Sequence, residues 1–197
     1  MRLPAALVRR TASRGVLPAL AVLAVACGRG ADAPPPPADT TAAATPAPAD
    51  TSADPWTVGL SGAGGVAFGT PASDAAAALG GQWTDTTGAC AYLRPGRGPA
   101  GLAFMVEQGR IVRVDVDSAG VATAEGATVG MAEAEVRARY PGIRVMPHKY
   151  EPAGRYLVVS GTAADSALRL VFETHGARVV RYRAGQVPQV EYVERCG

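Results

Sequence analysis

The sequence predicts an α+β fold: two repeats, each a short helix packed on an antiparallel sheet, following a disordered N-terminal tether. Three observations lead there. The opening Phe68-Gly69-Thr70-Pro71 with Leu79-Gly80 reappears 61 residues on as Val129-Gly130-Met131-Ala132 with Tyr140-Pro141-Gly142. Two hairpins with period-two alternation share an offset of 68 residues, through Phe104 and Phe172, Val112 and Val180, and Arg113 and Arg181. Residues 28–54 consist almost wholly of Ala, Pro, Thr and Asp, a composition that cannot bury enough apolar surface to offset ordering entropy.

Residues 1–26 read as a cleaved export signal. Arg2, Arg9, Arg10 and Arg14 precede a short apolar run ending in Leu23-Ala24-Val25-Ala26-Cys27. The run is too short to span a bilayer, which takes roughly 20 apolar residues. Arg9-Arg10 lacks the apolar residue expected just after a twin-arginine export motif, which favours the general secretion route. The segment from Leu23 to Cys27 resembles the lipobox of bacterial lipoproteins. That resemblance implies lipidation of Cys27 and a mature chain starting there, anchored stably by several acyl chains. Gly28 stands where an aspartate would signal retention in the inner membrane, so the expected location is the outer membrane, facing the periplasm.

Residues 27–55 form the expected linker, with Pro34 to Pro37 in a row. Proline-rich chain extends by about 3.1 Å per residue and would hold the folded part away from the membrane. Charge reads differently once the signal is set aside. The whole chain carries +2, but four of its 19 basic residues lie in residues 1–26, which hold no acid. The remaining 15 face 17 acidic residues, a net of −2. Nothing here neutralises phosphates, so nucleic acid is not an expected partner.

Residues 56–120 and 121–197 carry the two repeats. Thr70 suits an N-cap and Pro71 the first helical position, and Gly80-Gly81 can end the helix. In the second repeat Glu133 and Glu135 complement the positive first turn, and Arg137 and Arg139 the negative end. Leu102, Phe104 and Val106 alternate up to a turn at Gln108-Gly109, after which Val112, Val114 and Val116 share a face. Leu168, Leu170 and Phe172 repeat the pattern before a turn at His175-Gly176. A last strand is expected over Val190 to Cys196.

Gly69, Ala75, Leu79 and Gly80, with Gly130, Val136, Tyr140 and Pro141, resemble the repeat of small outer-membrane lipoproteins of the SmpA/OmlA type. They are also similar to the tandem unit of β-lactamase-inhibitory proteins. Ala75 and Tyr140 stand where those families carry Val and Leu. The resemblance implies action by binding another protein, as an assembly factor or inhibitor, rather than by catalysis.

With Cys27 lipidated, Cys90 and Cys196 remain, an even pair that an oxidising compartment would join; the alternative is two buried free thiols. Only His148 and His175 are present, without metal-ligand spacing, and no serine sits in a nucleophile elbow. Asp115 and Asp117 lie two apart on one strand face, as at a solvated strand end. No catalytic residue, metal site or cofactor is therefore expected. With Val112 and Val180 turned to the core, Met105, Arg113, Val171, Arg181 and Arg183 would share the outward face, a mixture of arginine and apolar groups that suits a protein interface. The alternative function is binding of a small molecule or cell-wall glycan on an aromatic surface of Trp83, Tyr92 and Tyr150. An envelope hydrolase would need a nucleophile beside His148.

Overall fold

The computed structural model describes residues 54–196. The signal segment, Cys27 and the linker up to residue 53 lie outside the described residues. A small hairpin, β1 (Gly62–Ala63) and β2 (Val66–Ala67), precedes helix α1 (Ala72–Leu79). Four strands follow, β3 (Gln82–Thr87), β4 (Cys90–Arg94), β5 (Leu102–Glu107) and β6 (Arg110–Val116). Helix α2 (Glu133–Arg139) leads into β7 (Arg144–Pro147), β8 (Gly154–Ser160), β9 (Leu168–His175) and β10 (Arg178–Gln186), and the chain closes with a 3₁₀ turn at Gln189–Glu191.

The expected two helix-on-sheet repeats are corrected by the sheet. Strands β3 to β10 form one antiparallel sheet of eight strands in the order β3-β4-β5-β6-β10-β9-β8-β7, and the helices are only 8 and 7 residues long. The physical reason lies in the middle. Strands β6 and β10 end their respective meanders, and each would otherwise be an open edge with unpaired N–H and C=O groups. They pair with each other instead, Val116 opposite Tyr182 and Val114 opposite Ala184, so both meanders share one core.

That core lies on the helix side of the sheet. Leu93, Phe104, Ile111, Val114, Leu157, Leu170, Phe172 and Tyr182 are buried there under Ala75 and Leu79 of α1 and Val136 of α2. Phe172 packs between Tyr140 and Tyr182, with ring centroids 5.5 Å from each. Helix α1 starts one residue later than the sequence suggests. Pro71 itself occupies the N-cap without a side-chain bond, and Gly80 ends the helix in the left-handed conformation at φ 56°. In α2 the Glu135 carboxylate accepts from the Ala132 N–H at 3.0 Å, satisfying one orphan donor of the first turn.

Two bulges change which side chains face the core. The register passes from Met105 opposite Arg113 to Val106 opposite Ile111, which leaves Val112 as the extra residue. The same step skips Val180, between Val179 opposite Thr174 and Arg181 opposite Glu173. A bulge reverses the alternation locally. Ile111 and Val179 therefore enter the main core, whereas Val112 packs on the other face and Val180 is exposed. The second hairpin turn falls at Gly176-Ala177, at φ 55° and 63°, one residue beyond the expected His175-Gly176.

Candidate functional site

The second face of the sheet is where the chemistry-bearing side chains gather. Cross-strand partners share a face, so the registers define two rows. One runs Arg144, Val158, Val171, Arg183 across β7, β8, β9 and β10. Its neighbour runs Met146, Tyr156, Glu173, Arg181 across the same strands. Arg113, Asp115 and Met105 continue the face onto β6 and β5.

The residues after β10 do not form the expected strand. They turn back over this face as a strap, through the 3₁₀ turn and Tyr192 to Cys196, and a disulfide joins Cys196 to Cys90 on β4. Arg113 fastens the strap from below. Its Nη1 donates to the Gln189 and Tyr192 carbonyls at 2.9 and 2.8 Å, while Nε and Nη2 grip Asp115 at 2.8 and 2.5 Å. Tyr92 adds its hydroxyl to Asp115 at 2.9 Å. Burial alone would lower the pKa of Arg113, but Asp115 outweighs it and the net shift is upward. Tyr92 is held well above the ordinary phenol range, first by burial and then by Asp115.

Arg183 makes the second attachment, its Nε donating to the Val190 carbonyl at 2.6 Å and its Nη1 pairing with Glu173. Glu173 also accepts from Arg181 at 2.6 Å and lies 3.3 Å from His148 Nε2. Burial pushes the Glu173 carboxyl up, but the surrounding arginines overcome it and hold the group below its ordinary value. His148 Nδ1 lies 3.2 Å from the N–H groups of both Tyr150 and Glu151, which makes it an acceptor. The proton then sits on Nε2, facing Glu173, and both ring nitrogens are committed.

The expected protein-binding face is therefore corrected in one respect. Met105, Arg113, Val171, Arg181 and Arg183 do share the second face, but only Arg181 is exposed. Arg113 and Arg183 are 2% and 4% exposed, and Met105 and Val171 are buried apolar contacts beneath the strap. The expected aromatic surface is not assembled. Trp83, 48% exposed, opposes Leu93 on edge strand β3 and so lies on the helix side. Tyr92 opposes Met105, buried on the second face. Tyr150 is exposed after β7, the opposite edge of the sheet, and its hydroxyl bonds Glu194 on the strap. Asp115 is a buried ion-pair partner rather than a solvated strand end, and Asp117 pairs with Arg195 at 3.0 Å. His175 is exposed beside Glu151.

Sequence reasoning missed the groove that results. It has a volume of about 300 Å³ between the strap and strands β7 to β10. Val158 and Val171 form its floor, Val193 and Glu191 belong to the strap wall, and Arg144, Lys149 and Arg183 supply its cations. The signal was present as Arg144, Val158 and Arg183 at alternating strand positions, but their convergence depends on strand order. Among the described residues there is no cluster of three or more groups suited to holding a metal ion, and no helix is long and apolar enough to cross a membrane.

No family model and no curated protein matches the sequence. A solved structure of an extracellular protein containing a SCP domain from Bacillus anthracis overlaps 61% of this chain at 10% identity, with a TM-score of 0.43. The chain covers 44% of that protein, and an overlap this loose carries no argument about fold or activity.

Proposed function

We propose that the chain is an exported protein of the cell envelope, held by lipid on Cys27 at the outer membrane and facing the periplasm, whose folded unit binds a ligand without transforming it. The observation that carries the binding reading is the strap-walled groove, a concave site with an apolar floor and a few placed charges. The Cys90–Cys196 disulfide supports an oxidising compartment. The lipobox-like Leu23 to Cys27 supports the anchor. A non-catalytic role is supported by His148, whose two nitrogens are taken up by backbone N–H groups and Glu173, with no hydroxyl or thiol among its hydrogen-bond partners. An assembly-factor or inhibitor role towards an envelope protein loses the arginine face that suggested it, since Arg113 and Arg183 are spent on holding the strap.

The test is a photo-crosslinking amino acid placed in the full chain at Val193, on the groove wall, or at Ser73, on the exposed side of α1. One adduct formed in living cells from Val193 alone is expected. No adduct, or the same adducts from both positions, would overturn the binding reading. In the same cells Cys27→Ala should leave the membrane fraction, and retention there would refute the lipid anchor.

A further inference from the structure

Resting on that binding reading, we propose that the groove takes a small amphipathic anion, with its acidic head on Arg183 and its apolar body between Val193 of the strap and Met146, above the valine floor. Three features of the groove define that ligand.

The first is an unfilled donor. Arg183 is nearly buried, and two of its three guanidinium nitrogens are committed, Nε to the Val190 carbonyl and Nη1 to Glu173. Its Nη2 makes no hydrogen bond within the described residues and is open to the groove that Arg183 lines. A guanidinium stays charged at any physiological pH, and a carboxylate is the acceptor its geometry favours. Burial, and then the neighbouring Arg113, work against the Arg183 charge, and a bound anion would favour it.

The second is the charge balance. Arg144, Lys149 and Arg183 line the groove against one acid, Glu191. Lys149 is partly answered by Glu194 at 3.5 Å, but an exposed pair of that kind holds its partner weakly. Beneath the groove, Glu173 is already shared by Arg181 and Arg183 and has little charge to spare.

The third is the floor. Val158 and Val171 lie between Arg183 on β10 and Arg144 on β7 in a single cross-strand row. Three strand spacings separate the ends of that row, about 14 Å at about 4.8 Å each. The volume of about 300 Å³ accommodates on the order of ten water-sized groups, at about 30 Å³ each. A purely polar anion would leave the exposed Met146 and half-buried Val193 of the groove wet, and a purely apolar molecule would take water from Nη2 without supplying an acceptor.

Octanoate is the probe, with n-octanol and inorganic phosphate as its apolar and anionic halves. Each is titrated into the ¹⁵N-labelled full chain carrying Cys27→Ala, so that no detergent is present, and amide shifts are followed by NMR. Octanoate is expected to shift Val158, Val171, Arg183 and Val193 saturably, with both halves binding at least tenfold more weakly. The exposed pair Arg144→Glu with Lys149→Glu, which leaves the Arg183 attachments intact, should weaken octanoate at least tenfold while the remaining spectrum stays native. Equal binding of octanol would overturn the acidic head, and equal binding of phosphate would overturn the apolar body. Shifts confined to other surfaces, or none, would overturn the groove as an anion site. A Val193 crosslink obtained in cells alongside such a failure would keep the binding reading and discard only this ligand class.

Discussion

Removing the disulfide by Cys90→Ser with Cys196→Ser tests whether the strap belongs to the cooperative fold. The bond spans 106 residues and encloses all of β5 to β10. In the chain-entropy model a loop of that length removes about 16 cal/mol/K from the unfolded ensemble, about 4.8 kcal/mol at 25 °C. The folded contacts of the strap do not depend on the bond itself, because Arg113 and Arg183 hold three of its carbonyls. The full effect should therefore appear as lost global stability. At about 3 °C per kcal/mol for a domain of this size, Tm should fall by about 15 °C. Urea and thermal unfolding followed by circular dichroism, on the oxidised protein and the double variant, measure this. A loss below about 1 kcal/mol would refute the reasoning, because it would mean that the strap frays separately and that its closure never constrains the unfolded chain.

Other consequences follow from the same packing. Phe172→Ala, between Tyr140 and Tyr182, should cost about 3–5 kcal/mol in urea unfolding, whereas Trp83→Ala on the exposed edge should stay within about 0.5 kcal/mol. Arg113→Met should cost about 3–5 kcal/mol, because Asp115 is left buried and uncompensated, and adding Asp115→Leu should recover part of that loss. Glu173 titrates below its ordinary value of 4.5 in the folded protein, so the unfolded chain binds the proton more readily. Its contribution is complete above that value and is lost as pH falls through it, so urea midpoints should decline on acidification from about pH 5, and Glu173→Gln should flatten the decline.

Local signals in the sequence carried some elements and misled on others. The hairpin at Gln108-Gly109 and the helix stop at Gly80 were legible because each needs a positive φ that its residues supply. Strands β5, β6, β9 and β10 were legible from alternation. Their inward faces were misread at Val112 and Val180, since a bulge adds one residue without marking the pattern. The segment from Val190 to Cys196 reads as a strand, but a 3₁₀ turn at Gln189–Glu191 carries it over the sheet face, with Val190 buried and both Glu191 and Tyr192 exposed. Placing Val112 and Val180 in the core turns Arg113 and Arg183 outward, yet both are buried beneath the strap, where they donate to main-chain carbonyls that a linear pattern cannot locate. The Cys90–Cys196 bond was legible from simple parity once Cys27 was set aside.

The pairing of β6 with β10 also sets a timetable. Val116 meets Tyr182, 66 residues further along the chain. At synthesis rates of about 5–20 residues per second, β6 waits roughly 3–13 s for its neighbour. Throughout that interval the first meander offers an unpaired edge with apolar groups on both sides, Val114 on one and Met105 of the adjoining β5 on the other. An exported chain crossing a membrane unfolded would have all of β7 to β10 delivered close together, shortening that exposure. A fold whose central seam closes last is thus better served by rapid delivery of the whole chain than by gradual emergence, and holding factors that cover β6 would be most useful between the arrival of Val116 and that of Gln186.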